Sequence, residues 1–81
     1  MTNNDILQRI THTISGVLNI KPEKINRDTG SQNIHNWDSL NHIKVVVSLE
    51  EEFETEFDSE EISLMTSVEK MENIISQKLK Q

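Results

Sequence analysis

A chain of 81 residues with 33% hydrophobic and 27% charged side chains has room for one thin core but not for a deep cleft, because a globule of this size buries only about 60% of the surface its unfolded chain exposes. Its formal charge of -6 argues against nucleic acid and anionic membrane surfaces as partners, since both select for lysine and arginine. The absence of cysteine excludes a disulfide framework or a thiolate metal site. Two glycines and one proline are too few turn residues for a β-rich fold, so one helical domain over residues 1–81 is expected. The start, Met1-Thr2-Asn3-Asn4-Asp5, lacks the basic and apolar regions of a secretion signal, and no apolar run approaches membrane-spanning length. The expectation is a soluble, monomeric, cytoplasmic protein without membrane insertion.

From Asp5 to Leu18, Ile6, Leu7, Ile10, Ile14 and Val17 recur at helical spacing opposite Gln8, Arg9, His12 and Thr13, which predicts a first helix. Asn3, Asn4 or Asp5 supplies its cap, because a short side-chain acceptor satisfies donors that the first turn leaves free. Residues 19–37 contain Pro22, Gly30 and scattered apolar side chains at Ile20, Ile25, Ile34 and Trp37. So long a connection inside a small domain is expected to be pinned by those four side chains and to lead to a functional site, with Trp37 as a partly buried anchor.

A second periodic segment runs from Asp38 to Glu54, with Leu40, Ile43, Val46 or Val47, Leu49 or Glu50, and Phe53 as the expected inward stripe. Asp38 suits its N-cap, which places Ser39 on the first turn with its hydroxyl near solvent. Asp58 and Glu61 have capping-box spacing before Ile62 and Leu64, predicting a short third helix, and Thr66 and Glu69 repeat the signature before a fourth. Val68, Met71, Ile74 or Ile75, and Leu79 form the last stripe, and Lys78 and Lys80 suit its C-terminal dipole. The fold class predicted is all-α, a small four-helix bundle of three longer helices and a short third, with a long loop between the first two.

The segment Trp37-Asp38-Ser39-Leu40 puts an accessible serine hydroxyl at a helix start, where free N–H groups and the helix dipole favour an incoming negative group. Capping alone would explain Asp38 and Ser39. Leu40, Ile43, Leu49, Glu50, Glu51, Glu52 and Phe53 extend the pattern, and with them the chain resembles the acyl carrier protein family. That family's signature is Asp-Ser-Leu at the start of helix two with an acidic, Leu-Glu-Glu-x-Phe-like end. The likeness extends over nearly the whole chain, including the loop segment Pro22-Glu23-Lys24-Ile25.

The resemblance implies a carrier and not an enzyme. Ser39 would bear a 4'-phosphopantetheine arm holding an acyl group as a thioester, with Asp38 and Leu40 as the rest of the modification motif. The reactive thiol missing from the chain would then come from the cofactor. The implied partners are a phosphopantetheinyl transferase and acyl-loading, condensing or transferring enzymes with basic docking patches. Eight of the 14 acidic residues lie between Glu50 and Glu61, a stretch with no lysine or arginine, and Glu50, Glu51 and Glu56 are the expected docking side chains. Asn41 and Lys44 stand where fatty-acid carriers usually have acidic residues. This departure points to a dedicated carrier in a specialised polyketide, fatty-acid or lipid pathway, with Asn41 and Lys44 as partner-selecting positions.

Two other readings share parts of this pattern. A peptidyl or aminoacyl carrier would use the same fold and serine, although those usually have glycine and histidine before it where this chain has Trp37-Asp38. An unmodified helical adaptor would use the acidic face alone. Catalysis by Ser39 with His42 or His35 lacks an orienting group and an oxyanion site. His12, His35 and His42 have no metal-ligand spacing, and the window from Asp28 lacks the oxygen ligands and closing glutamate of an EF-hand.

Overall fold

The structure, a computed structural model, describes residues 2–80, apart from the side chain of Asn3. Its helices are α1 (Asn3–Leu18), α2 (Ser39–Phe53), α3 (Ser59–Leu64) and α4 (Val68–Leu79), with a turn of 3₁₀ helix at Pro22–Lys24. This is the expected all-α bundle of three longer helices and a short third. The β-type pairing among the described residues is a single bridge between Gly30 and Ser67.

Helix α1 begins two residues earlier than the apolar period suggests, and its cap is Thr2, not Asn4 or Asp5. The Thr2 hydroxyl accepts the Asp5 N–H at 3.2 Å while the Asp5 carboxylate reaches back to the Thr2 N–H. Asp5 is therefore the third helical residue of a capping box, a role its carboxylate fills better than the first position would. The side chain of Asn3, also a candidate cap, lies outside the described residues. At the far end Asn19 takes the left-handed conformation, φ 58°, that stops the helix.

Helix α1 packs against both α2 and α4. Its Ile6, Ile10, Ile14 and Leu18 meet Val45, Val46, Leu49 and Phe53 of α2 and Val68, Met71 and Ile75 of α4 in one core. Each such side chain stabilises the fold by about 1.5–3 kcal/mol when fully buried. Phe57 and Met65, on either side of α3, are also buried. Arg9 ties α1 to α2 by bonding the Glu52 carboxylate at 2.6 Å and lying over the Phe53 ring.

The inward face of α2 keeps Val46, Leu49 and Phe53 of the expected stripe and adds Val45, but it leaves out Leu40 and Ile43. Leu40, Ile43 and Val47 are 66%, 48% and 44% exposed, whereas Val45, Val46, Leu49 and Phe53 are buried. Both sets satisfy helical spacing, and the second is buried because it is the one that faces α1 in the core. The cap of α4 is likewise Ser67, whose hydroxyl accepts the Lys70 N–H at 3.3 Å. Thr66, the expected cap, has its carbonyl on the Ser31 N–H and its hydroxyl on the Lys70 ammonium. Leu64 and Leu79 stay exposed. Asp58 does cap α3 with Glu61, as expected, and Glu61 also pairs with Lys78 at 3.0 Å.

Buried Glu72 on α4, 5% exposed, is held by both nitrogens of the Arg27 fork, at 2.9 and 3.2 Å. This fastens the long loop to the bundle. Hydrogen bonding to Glu72, and then its charge, raise the Arg27 guanidinium above its ordinary value. A cation whose folded value is raised contributes stability that is fully present below its unfolded value and is lost only as pH rises through the folded one, so the arginine side of the tether stays charged across the physiological range. Arg27→Met would leave a buried carboxylate unpaired and is expected to lower the melting temperature by several degrees, with Arg27→Lys recovering part. Equal melting temperatures for wild type and methionine variant in a calorimetric scan would remove the tether from the account.

Candidate functional site

The loop that delivers the site is built from side-chain to backbone bonds. Asn26 accepts the Asp28 N–H, and Asn33 takes the Gly30 N–H at 2.7 Å while donating to the Asp28 carbonyl. Backbone bonds from Val68 to Thr29, from Glu69 to Arg27 and from Ser31 to Thr66 then fix the loop to the start of α4. Ile25 is buried, and Ile20 and Ile34 pack on the core as expected. Trp37 is only 3% exposed, a fully buried anchor where a partly buried one was expected.

This anchoring sets the start of α2. The Asp38 carboxylate accepts the Asn41 N–H at 2.9 Å, the expected cap. Ser39, the first helical residue, is exposed, and its hydroxyl makes no hydrogen bond to another described residue. The N–H groups of Ser39 and Leu40 are those the first turn leaves unpaired. Beside Ser39 lies a groove of about 670 Å³ between α2 and α3, lined by Trp37, His42, Ile43 and Ile62 and edged by the hydroxyls of Ser31 and Ser59.

Sequence reasoning missed the centre of this groove. Trp37 Nε1–H donates to His42 Nδ1 at 3.0 Å, and His42 Nε2 lies 3.1 Å from the Ile62 carbonyl. Both nitrogens are therefore engaged, and neither is free to take the Ser39 proton. The spacing of His42 from Val45, Val46 and Leu49 was the available signal, since it puts the ring on the inward face. Among the described residues, no three histidine, aspartate or glutamate side chains are arranged to hold a metal.

The remaining candidate residues separate by what they touch. The Asn41 side chain donates to the Asn36 carbonyl at 2.6 Å, and Glu50 accepts the Phe57 N–H at 2.9 Å. Both thus have work within the fold. Leu40, Lys44, Glu51 and Glu56 are exposed, so the outer face of α2 offers an apolar ridge beside Ser39, with a cation near it and acids at the far end.

No family model matches the chain. It is 32% identical over 77 residues to the acyl carrier protein of Buchnera aphidicola subsp. Schizaphis graminum, covering 95% of this chain and 98% of that one. The acyl carrier protein of Buchnera aphidicola subsp. Acyrthosiphon pisum is 35% identical over 74 residues, covering 91% and 92%. That of Thermosynechococcus vestitus is 28% identical over 79, covering 98% of each. Full-length similarity at this level, on a helical bundle that presents an exposed serine at the start of its second long helix, means that the chain belongs to the acyl carrier protein family.

Proposed function

We propose that this chain carries an acyl group on a 4'-phosphopantetheine arm attached to Ser39 and presents it to partner enzymes in the cytoplasm. As a member of its family it is a carrier and not an enzyme. One observation supports the attachment point above all: the Ser39 hydroxyl is exposed at the mouth of a groove and has no hydrogen-bond partner among the described residues. A phosphodiester there would lie against the free N–H groups of the first turn. When bound, the arm supplies the thiol that the chain lacks. The chain's own residues hold the site still: Asp38 caps the helix, and Trp37 fixes the loop behind it. Intact mass after incubation with a phosphopantetheinyl transferase, coenzyme A and magnesium tests the reading, and a mass unchanged with several such transferases overturns it.

The finer reading is a dedicated carrier in a specialised polyketide, fatty-acid or lipid pathway, supported by Lys44 on the exposed face of α2. Partners with basic patches would meet Glu51 and Glu56. Because Glu50 and Asn41 serve the fold, Glu51→Lys with Glu56→Lys is the cleaner charge reversal, and it is expected to slow loading severalfold at low salt. Raising salt from 0.1 M to 1 M shortens the Debye length from about 10 Å to about 3 Å, so wild-type loading should fall as well. Lys44→Glu should improve use by general fatty-acid enzymes, whose basic patches it now repels. Loading rates independent of charge and salt would remove electrostatic docking.

A further inference from the structure

Two asparagines link the end of α1 to the start of α2. The Asn36 side-chain amide donates to the Leu18 carbonyl at 3.0 Å, one of the carbonyls that the last turn of a helix leaves without a helical partner. The Asn36 carbonyl in turn accepts the Asn41 side-chain amide at 2.6 Å. The Asn41 backbone N–H goes to the Asp38 carboxylate at 2.9 Å. Residues 37–39 lie inside this relay, with the Trp37 ring buried behind them.

The chemistry of position 41 is constrained by what it faces. A carbonyl only accepts, so the atom turned to Asn36 has to be the Asn41 nitrogen, and a carboxylate there would set oxygen against oxygen. Asn41 is the third residue of α2, the place from which Asp5 of α1 and Glu61 of α3 reach back to accept the N–H of their own caps. On α2 the side chain instead donates, to a residue two positions before the cap. Asn41→Asp keeps the size of the side chain and the backbone N–H that Asp38 caps, and removes only the donor.

We propose that Asn41 is a positioning residue for arm attachment: through the Asn36 carbonyl, its amide holds the turn over residues 37–39 in the shape that a phosphopantetheinyl transferase binds. The role rests on Ser39 bearing the arm. A segment freed from the relay samples other shapes, and an enzyme that binds one of them loses apparent affinity in proportion to the fraction of molecules in that shape. Loss of the amide is therefore felt in KM and not in kcat. Selection of partners by charge, the task expected of Asn41 from the sequence, has the opposite sign, because an added carboxylate would favour a basic patch.

The experiment measures arm addition with coenzyme A, magnesium and a phosphopantetheinyl transferase, at about 0.1 M and about 1 M salt. Its substrates are the wild type, Asn41→Asp, Asn41→Ala, Asn36→Ala and the double alanine variant, each checked for helix content by circular dichroism. Each single variant should raise KM about three- to tenfold, the effect of one net hydrogen bond, with kcat held within about twofold and at both salt concentrations. The double variant should raise it by less than the product of the two alanine effects, since both asparagines serve one relay. Should Asn41→Asp lose its helices, Asn41→Ala makes the same comparison without the added charge. An unchanged KM in Asn41→Ala would overturn the positioning role, as would a KM that Asn41→Asp lowers at low salt alone, or independent effects in the double variant. A wild type that several transferases leave unmodified is the separate outcome that removes the carrier reading, and this role with it.

Discussion

Ser39→Ala is expected to abolish addition of the phosphopantetheine arm while leaving the fold intact. The hydroxyl has no partner to lose among the described residues, the position is exposed, and alanine is the better helix former, so stability should change by no more than about 0.5 kcal/mol. Asp38 still caps the helix through the Asn41 N–H. Neighbouring hydroxyls provide an internal control. Ser31, Ser59, Ser63 and Thr66 line the same groove, and a transferase that merely sought a hydroxyl near this spot could still modify one of them. Intact mass followed by fragment mapping distinguishes these outcomes: an arm found on the alanine variant would mean that Ser39 is not the attachment point.

The second large effect is expected at Gly30. Its backbone lies so close to α4 that an added Cβ would sit 2.1 Å from the Thr66 carbonyl oxygen and 3.0 Å from the Ser67 Cα. Both obstacles are backbone, so neither can swing aside. Gly30→Ala must push the loop away from the start of α4, straining the bonds from Ser31 to Thr66 and from Val68 to Thr29. Overpacking of this kind costs about 1–3 kcal/mol, and in a domain of this size each kcal/mol lowers the melting temperature by about 4–8 °C. A circular dichroism melt should therefore fall by roughly 4–24 °C. Gly16, whose Cβ would meet nothing within 4 Å, is the control: Gly16→Ala should hold or gain stability. An unshifted melt for the Gly30 variant would remove the close approach.

The helices and the serine were legible because local rules specify them. Asp38 and Asp58 are short acceptors ahead of helical periods, and both cap as expected. The face of α2 was legible in part: Val46, Leu49 and Phe53 are buried as expected, and Leu40 and Ile43 are not. Leu40, Ile43 and Val47 repeat at helical spacing as well as Val45, Val46, Leu49 and Phe53 do, and only the position of α1 decides between them. Thr2 was overlooked because Asn4 and Asp5 are stronger caps by composition, although Asp5 serves better as the returning carboxylate. Buried Glu72 could not be foreseen, since its partner Arg27 lies 45 residues away. The His42 bridge has the same character: it depends on the carbonyl of Ile62, 20 residues further on, which no local pattern marks.

The fastening of the loop to α4 also sets an order of events on the ribosome. Translation runs at about 5–20 residues per second, and Ser39 emerges well before Thr66, Val68, Glu69 and Glu72, the residues that hold the loop leading to it. Until those residues appear, Arg27, Thr29 and Ser31 have nothing to grip, and Trp37 waits for the core it will enter. A nascent chain therefore displays the serine before it displays the finished site. An enzyme that recognises the folded surroundings of Ser39 must act after α4 has been made, whereas one that reads the bare Asp38-Ser39-Leu40 segment could act during synthesis.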